Sequence, residues 1–125
     1  MSFKLLIASN LVLAALFYVR IQPAFGHAYP IIVSPADGAS LKESPREVRI
    51  QFTEGIELAF SRITVKGAKG EVVGQGKLRQ LADDTVAIDL KPLSAGNYTI
   101  EWQVLSVDTH ITEGTLHFTF SPGGK

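Results

Sequence analysis

Cysteine is absent from the 125 residues, so the fold must hold together without disulfides, and no thiolate is available for a zinc ribbon or a blue-copper centre. Charge is sparse and balanced, with 12 basic and 12 acidic residues. There is no basic run, no glycine-rich phosphate loop and no basic amphipathic helix, which excludes the usual means of gripping nucleic acid or an anionic membrane surface. No serine, histidine and acid combine in a nucleophile elbow, and no paired carboxylates stand at an informative spacing. A helical period is missing from every segment after Gly26. Histidine is scarce too: His27, His110 and His117 are the three.

One long apolar stretch is present, from Leu5 to Val19. Lys4 ahead of it and Ala24-Phe25-Gly26 behind it complete the pattern of a signal peptide over residues 1–26, cut after Gly26. A retained membrane anchor is the competing reading. Against it, the run is interrupted at Ser9-Asn10, stops at Arg20, and falls short of the ~20 apolar residues that a spanning helix needs. Export removes Lys4 and Arg20 and leaves a slight acidic excess in residues 27–125, one domain by length.

Within that domain the apolar residues recur at every second position, as half-buried strands require. Val48, Ile50 and Phe52 form one such row, and Val86, Ile88 and Leu90 a second. Tyr98, Ile100, Trp102 and Val104 form a third, with Leu116, Phe118 and Phe120 as a fourth. Turn residues separate the rows at Pro35–Gly38, Gly67–Gly70, Asp83-Asp84 and Ser94–Asn97. Leu58 and Phe60 share a parity that Ile63 and Val65 do not, which predicts a bulge or bend near Ser61 and Arg62. About seven short strands in a domain of this size predict an all-β fold, an antiparallel Greek-key β-sandwich of immunoglobulin-like kind. In such a sheet the alternation of Tyr98 and Trp102 with Ile100 and Val104 makes them core residues rather than a binding platform.

Cleavage after Gly26 would make His27 the first residue of the mature chain, able to offer its α-amine and its ring Nδ1 to one metal ion as a six-membered chelate. A second donor cluster is needed, and Ser106–Gly114, "SVDTHITEG", supplies the best one. There Asp108 and His110 stand two apart, so in an extended segment their side chains converge on one side. The combined set of three nitrogens and one oxygen suits a tetragonal ion. Cu(II) is the strongest divalent competitor for it, with zinc less well accommodated if the donors lie near a plane. Alone, His110 reads as a surface histidine and Asp108 as a turn residue; their conjunction with His27 is what makes a site. Glu54, on the inward parity where the row of Val48, Ile50 and Phe52 runs out, is either a partner that orients a ligand, a weak extra ligand, or a solvated strand-end carboxylate. His117 lies opposite the apolar face of its row and reads as a solvent-facing residue.

These residues stand in an order that resembles the CopC-type copper-resistance family of exported copper-binding domains. The resemblance runs from residue 27 to about 120. It rests on His27-Ala28, on Ser34–Ala39 with Leu41 and Pro45, and on Phe52-Thr53-Glu54. Gly96-Asn97-Tyr98 with Trp102, and Ser106–His110 ahead of Gly114, extend it. It implies a barrel-like Greek-key sandwich in the periplasm that holds one Cu(II) per chain, with His27, Asp108 and His110 as ligands and Glu54 as an outer partner. Two positions depart from the pattern. The family usually has glycine between the ligand Asp and His, and often proline after the His, where this chain has Thr109 and Ile111. Some members also carry a methionine-rich Cu(I) site, whereas Met1 is the single methionine here and belongs to the signal peptide.

The function this implies is non-enzymatic: a monomer that buffers copper or delivers it to an inner-membrane copper transport protein of the CopD type. A copper oxygenase using the same histidine brace is an alternative, disfavoured because four protein donors leave no equatorial position for oxygen. A metal-free β-sandwich interaction module is another.

Overall fold

The computed structural model describes residues 27–123; the signal peptide expected over residues 1–26 and its expected cleavage position lie outside them. Eight strands follow one another along the described residues: β1 (Pro30–Ser34), β2 (Ala39–Leu41), β3 (Glu47–Phe52), β4 (Arg62–Gly67), β5 (Gly74–Ala82), β6 (Thr85–Leu90), β7 (Gly96–Leu105) and β8 (Ile111–Phe120). They form two four-stranded sheets, ordered β1-β3-β6-β5 and β2-β8-β7-β4, packed as a sandwich. Pairing is antiparallel except for the short edge strand β2, which runs parallel to β8.

The alternating rows read from the sequence are the inner faces of these sheets. Val48, Ile50 and Phe52 are fully buried on β3, as are Ile100 and Val104 on β7. Burying side chains of this size contributes about 1.5–3 kcal/mol each, which fixes the strand register because a one-residue slip would turn every one of them to water. Phe52 meets the edge of Trp102 at 5.4 Å between ring centroids, joining the two sheets, and Tyr98 stacks on its β8 neighbour Phe118 at 5.2 Å. The Tyr98 hydroxyl donates to the Ser94 carbonyl at 2.5 Å, pinning the crossing from one sheet to the other in the manner of a tyrosine corner. Trp102 also fixes Gly114: a Cβ there would lie 2.7 Å from the indole ring.

The break in parity before Ile63 is a 3₁₀ turn, Leu58–Phe60, rather than a bulge. It tucks Leu58 against the core, leaves Phe60 exposed, and restarts the alternation at Arg62. Ala87, on the outward parity of β6, is nonetheless buried. Its cross-strand neighbours are Arg49 and Arg79, which are held over that face by ion pairs to Glu47 and Asp89.

Two connections carry the candidate ligands. Residues 27–29 lead into β1 beside the end of β3, and residues 106–110 form the hairpin between β7 and β8.

Candidate metal centre

Residues 27–29 are held in place by Thr53. Thr53 donates its amide to the Tyr29 carbonyl at 2.9 Å. Its hydroxyl accepts from the Tyr29 amide at 3.0 Å and donates to the His27 carbonyl at 3.1 Å. Between these two residues Ala28 is wholly buried in the core. His27 is thus held at one end of the sandwich although it precedes the first strand.

The hairpin presents the other donors at the same end. The Thr109 amide donates to the Ser106 carbonyl and the Ser106 amide to the His110 carbonyl, each at 2.9 Å. Thr109 takes a positive φ of 71°. A turn followed by one left-handed residue is a common three-residue hairpin loop, and the left-handed position favours glycine. The glycine expected there from the family pattern therefore has a backbone reason. Threonine meets the same geometry at a steric cost of about 1–2 kcal/mol, with its hydroxyl donating to the Asp108 carbonyl at 2.5 Å. Asp108 and His110 converge because the chain turns between them, not because the segment is extended.

Ser106, a buried residue to which the sequence alone assigns no role, organises this loop. Its hydroxyl donates to Asp108 Oδ1 and lies 3.1 Å from the His110 carbonyl. The Asp108 carboxyl is held below the usual carboxylate range, first by the Ser106 hydroxyl and further by His110, against an opposing effect of partial desolvation. A depressed folded-state value means that this interaction stabilises the fold above the ordinary aspartate range and is lost as pH falls through the depressed value. Ser106→Ala is expected to return the Asp108 midpoint toward that of an ordinary aspartate, measured by carboxyl-carbon NMR titration of metal-free protein. An unmoved midpoint would show that the serine is not the cause.

His27, Asp108 and His110 each offer a ligand atom, and these atoms all lie within 4.8 Å of one another. The two imidazoles are 4.3 Å apart between centroids, tilted by 49°, and His110 Nδ1 is 3.4 Å from Asp108 Oδ2. His27 Nδ1 and Asp108 Oδ2 are buried without a hydrogen-bond partner. Buried polar atoms in native proteins are nearly always satisfied, so two polar atoms left without partners, on residues whose ligand atoms converge within 4.8 Å, fit a bound cation. Glu54 is outside this set of three. It is half-buried with Oε2 unpartnered, and it stands between Thr53, which grips residues 27–29, and Gly55, whose carbonyl accepts from the Val107 amide at 3.0 Å. His117 is exposed on β8, seven residues from His110. A shallow groove of about 350 Å³ on the outer face of the β4, β7 and β8 sheet, between Arg62, Glu101 and Glu113, includes none of these donors.

The CopC domain family matches residues 32–121, nearly the whole described domain. The chain belongs to the CopC family. Among CopC-like relatives, protein YobA of Escherichia coli strain K12 is 34% identical over 103 residues, covering 78% of this chain and 79% of its own length. The copper transport protein CutJ of Bacillus subtilis is 32% identical over 101 residues, 78% of this chain but 19% of CutJ. The crystal structure of CopC from Methylosinus trichosporium OB3b superposes with a TM-score of 0.73 at 30% identity, covering 79% of this chain and 98% of that one. The CopC fold is therefore established for this chain together with its family.

Proposed function

We propose that the chain is exported, cut after Gly26, and acts in the periplasm as a monomeric Cu(II)-binding protein that carries one ion. His27 supplies its α-amine and Nδ1, Asp108 its carboxylate and His110 its imidazole; Glu54 orients a ligand from outside that set. The observation that carries this reading is the convergence of the three side chains with His27 Nδ1 and Asp108 Oδ2 buried and unpartnered. Nδ1 is the ring atom that a six-membered chelate with the α-amine requires. Membership of the CopC family supports copper as the ion, and a mixed nitrogen and oxygen donor set agrees with Cu(II) rather than Cu(I).

The role is buffering or delivery rather than catalysis: His27, Asp108 and His110 would together supply four donors to the ion, where a centre that activates oxygen needs a position left open. The receiving protein is an inner-membrane copper transporter of the CopD type. Support for delivery comes from CutJ, a copper transport protein in which the segment similar to this chain is 19% of a longer polypeptide.

Titration of the metal-free chain beginning at His27 should saturate at one Cu(II). Amines and imidazoles bind metals only when deprotonated, so affinity should fall steadily from neutral to mildly acidic pH. Two equally tight ions, or an affinity indifferent to pH over that range, would overturn the assignment.

A further inference from the structure

The two histidine-bearing segments belong to different sheets and lie far apart in sequence, yet one buried hydrogen bond joins them. The Thr112 hydroxyl donates to the Ala28 carbonyl at 2.6 Å across a separation of 84 residues. Ala28 follows His27 directly, and Thr112 stands two residues beyond His110 on β8. Thr112 is itself buried, on the inward-facing parity of β8.

The other anchors of residues 27–29, all from Thr53, tie that segment to the end of β3. They set its position in one sheet. Thr112 alone among these bonds reaches it from the sheet that carries His110. A serine or threonine on an inward-facing strand position needs a partner for its hydroxyl, and here that partner is the peptide beside the first candidate ligand. Without the hydroxyl the Ala28 carbonyl would be left buried and unpaired, and the segment would settle where Thr53 alone directs it.

We propose that Thr112 is a positioning residue that holds His27 against His110, so that the gap between the two imidazoles is set before any metal arrives. The inference rests on the metal site proposed above for its consequence but not for its geometry. Groups that orient a metal ligand are worth about 10- to 100-fold in affinity.

The test compares wild type, Thr112→Val and Thr112→Ser, each beginning at His27. In metal-free protein, a nuclear Overhauser contact between the rings of His27 and His110 should be present in wild type and Thr112→Ser and lost in Thr112→Val. With copper added, Thr112→Val should bind about 10- to 100-fold more weakly with an altered electron paramagnetic resonance spectrum, and Thr112→Ser should restore both. A retained ring contact and an unchanged spectrum in folded Thr112→Val overturn the inference. If wild type binds no copper, the proposed function fails while the ring contact still decides the role of Thr112. Should Thr112→Val not fold, the wild-type hydroxyl proton decides: slow exchange and proximity to Ala28 are expected, and free exchange with solvent contradicts the bond.

Discussion

One glycine added ahead of His27 is expected to weaken Cu(II) binding by orders of magnitude while leaving the melting temperature of the metal-free protein nearly unchanged. The addition keeps every side chain. It lies outside β1, which begins at Pro30, and outside all the bonds from Thr53 and Thr112, which engage the His27 carbonyl and groups after it. What changes is one nitrogen: the α-amine of His27 becomes an amide, a poor ligand unless deprotonated. A donor tethered to another binds at a high effective concentration, and that advantage disappears with the chelate. A Gly-His start offers an amine of its own in a different ring, so the spectrum has to be compared along with the dissociation constant. Unchanged affinity and spectrum would mean that His27 acts through its ring alone or not at all.

Replacing the side-chain donors should sort the site's members by size of effect. Asp108→Ala or His110→Ala each removes one of the three converging ligand atoms and should reduce copper affinity sharply, well beyond 100-fold. Glu54→Gln keeps the shape and removes the charge, and a carboxylate that only orients a ligand should cost about 10- to 100-fold. His117→Ala, on the exposed face of β8, should change little. Isothermal titration against a competing chelator gives the order. A larger loss from His117→Ala than from His110→Ala would show that the site has been placed at the wrong histidine.

The sequence makes the core legible where strands are long and apolar on one side. Val48, Ile50, Phe52 and the row from Tyr98 to Val104 alternate plainly because each inward residue replaces water contact with packing. Other elements leave no such trace. β2 has three residues, too few to display a period, and its parallel pairing is dictated by β8 rather than by anything local. β5, with the sequence GQGKLRQLA, is an exposed edge with shifts in register and no fully buried side chain. The 3₁₀ turn at Leu58–Phe60 shows in sequence only as lost parity, which a bulge would produce equally well.

The candidate site was legible in its residue types but not in its supports. His27, Asp108 and His110 are rare or acidic residues in telling places. Ser106 and Thr112 are small hydroxyl residues of the kind found throughout any sheet protein. Their meaning comes from burial and from partners across the loop or across 84 residues, which no local pattern encodes. Thr109 is a further case, since threonine does not advertise the left-handed backbone it adopts.

Hyperfine-resolved electron paramagnetic resonance of the one-to-one Cu(II) complex of the chain beginning at His27 tests the central claim most directly. Two coordinated imidazoles are expected in wild type, with one removed in a His110→Ala variant and none removed in His117→Ala. Coupling to a single imidazole in wild type, or two that both survive His110→Ala, would contradict a copper centre built from His27, Asp108 and His110.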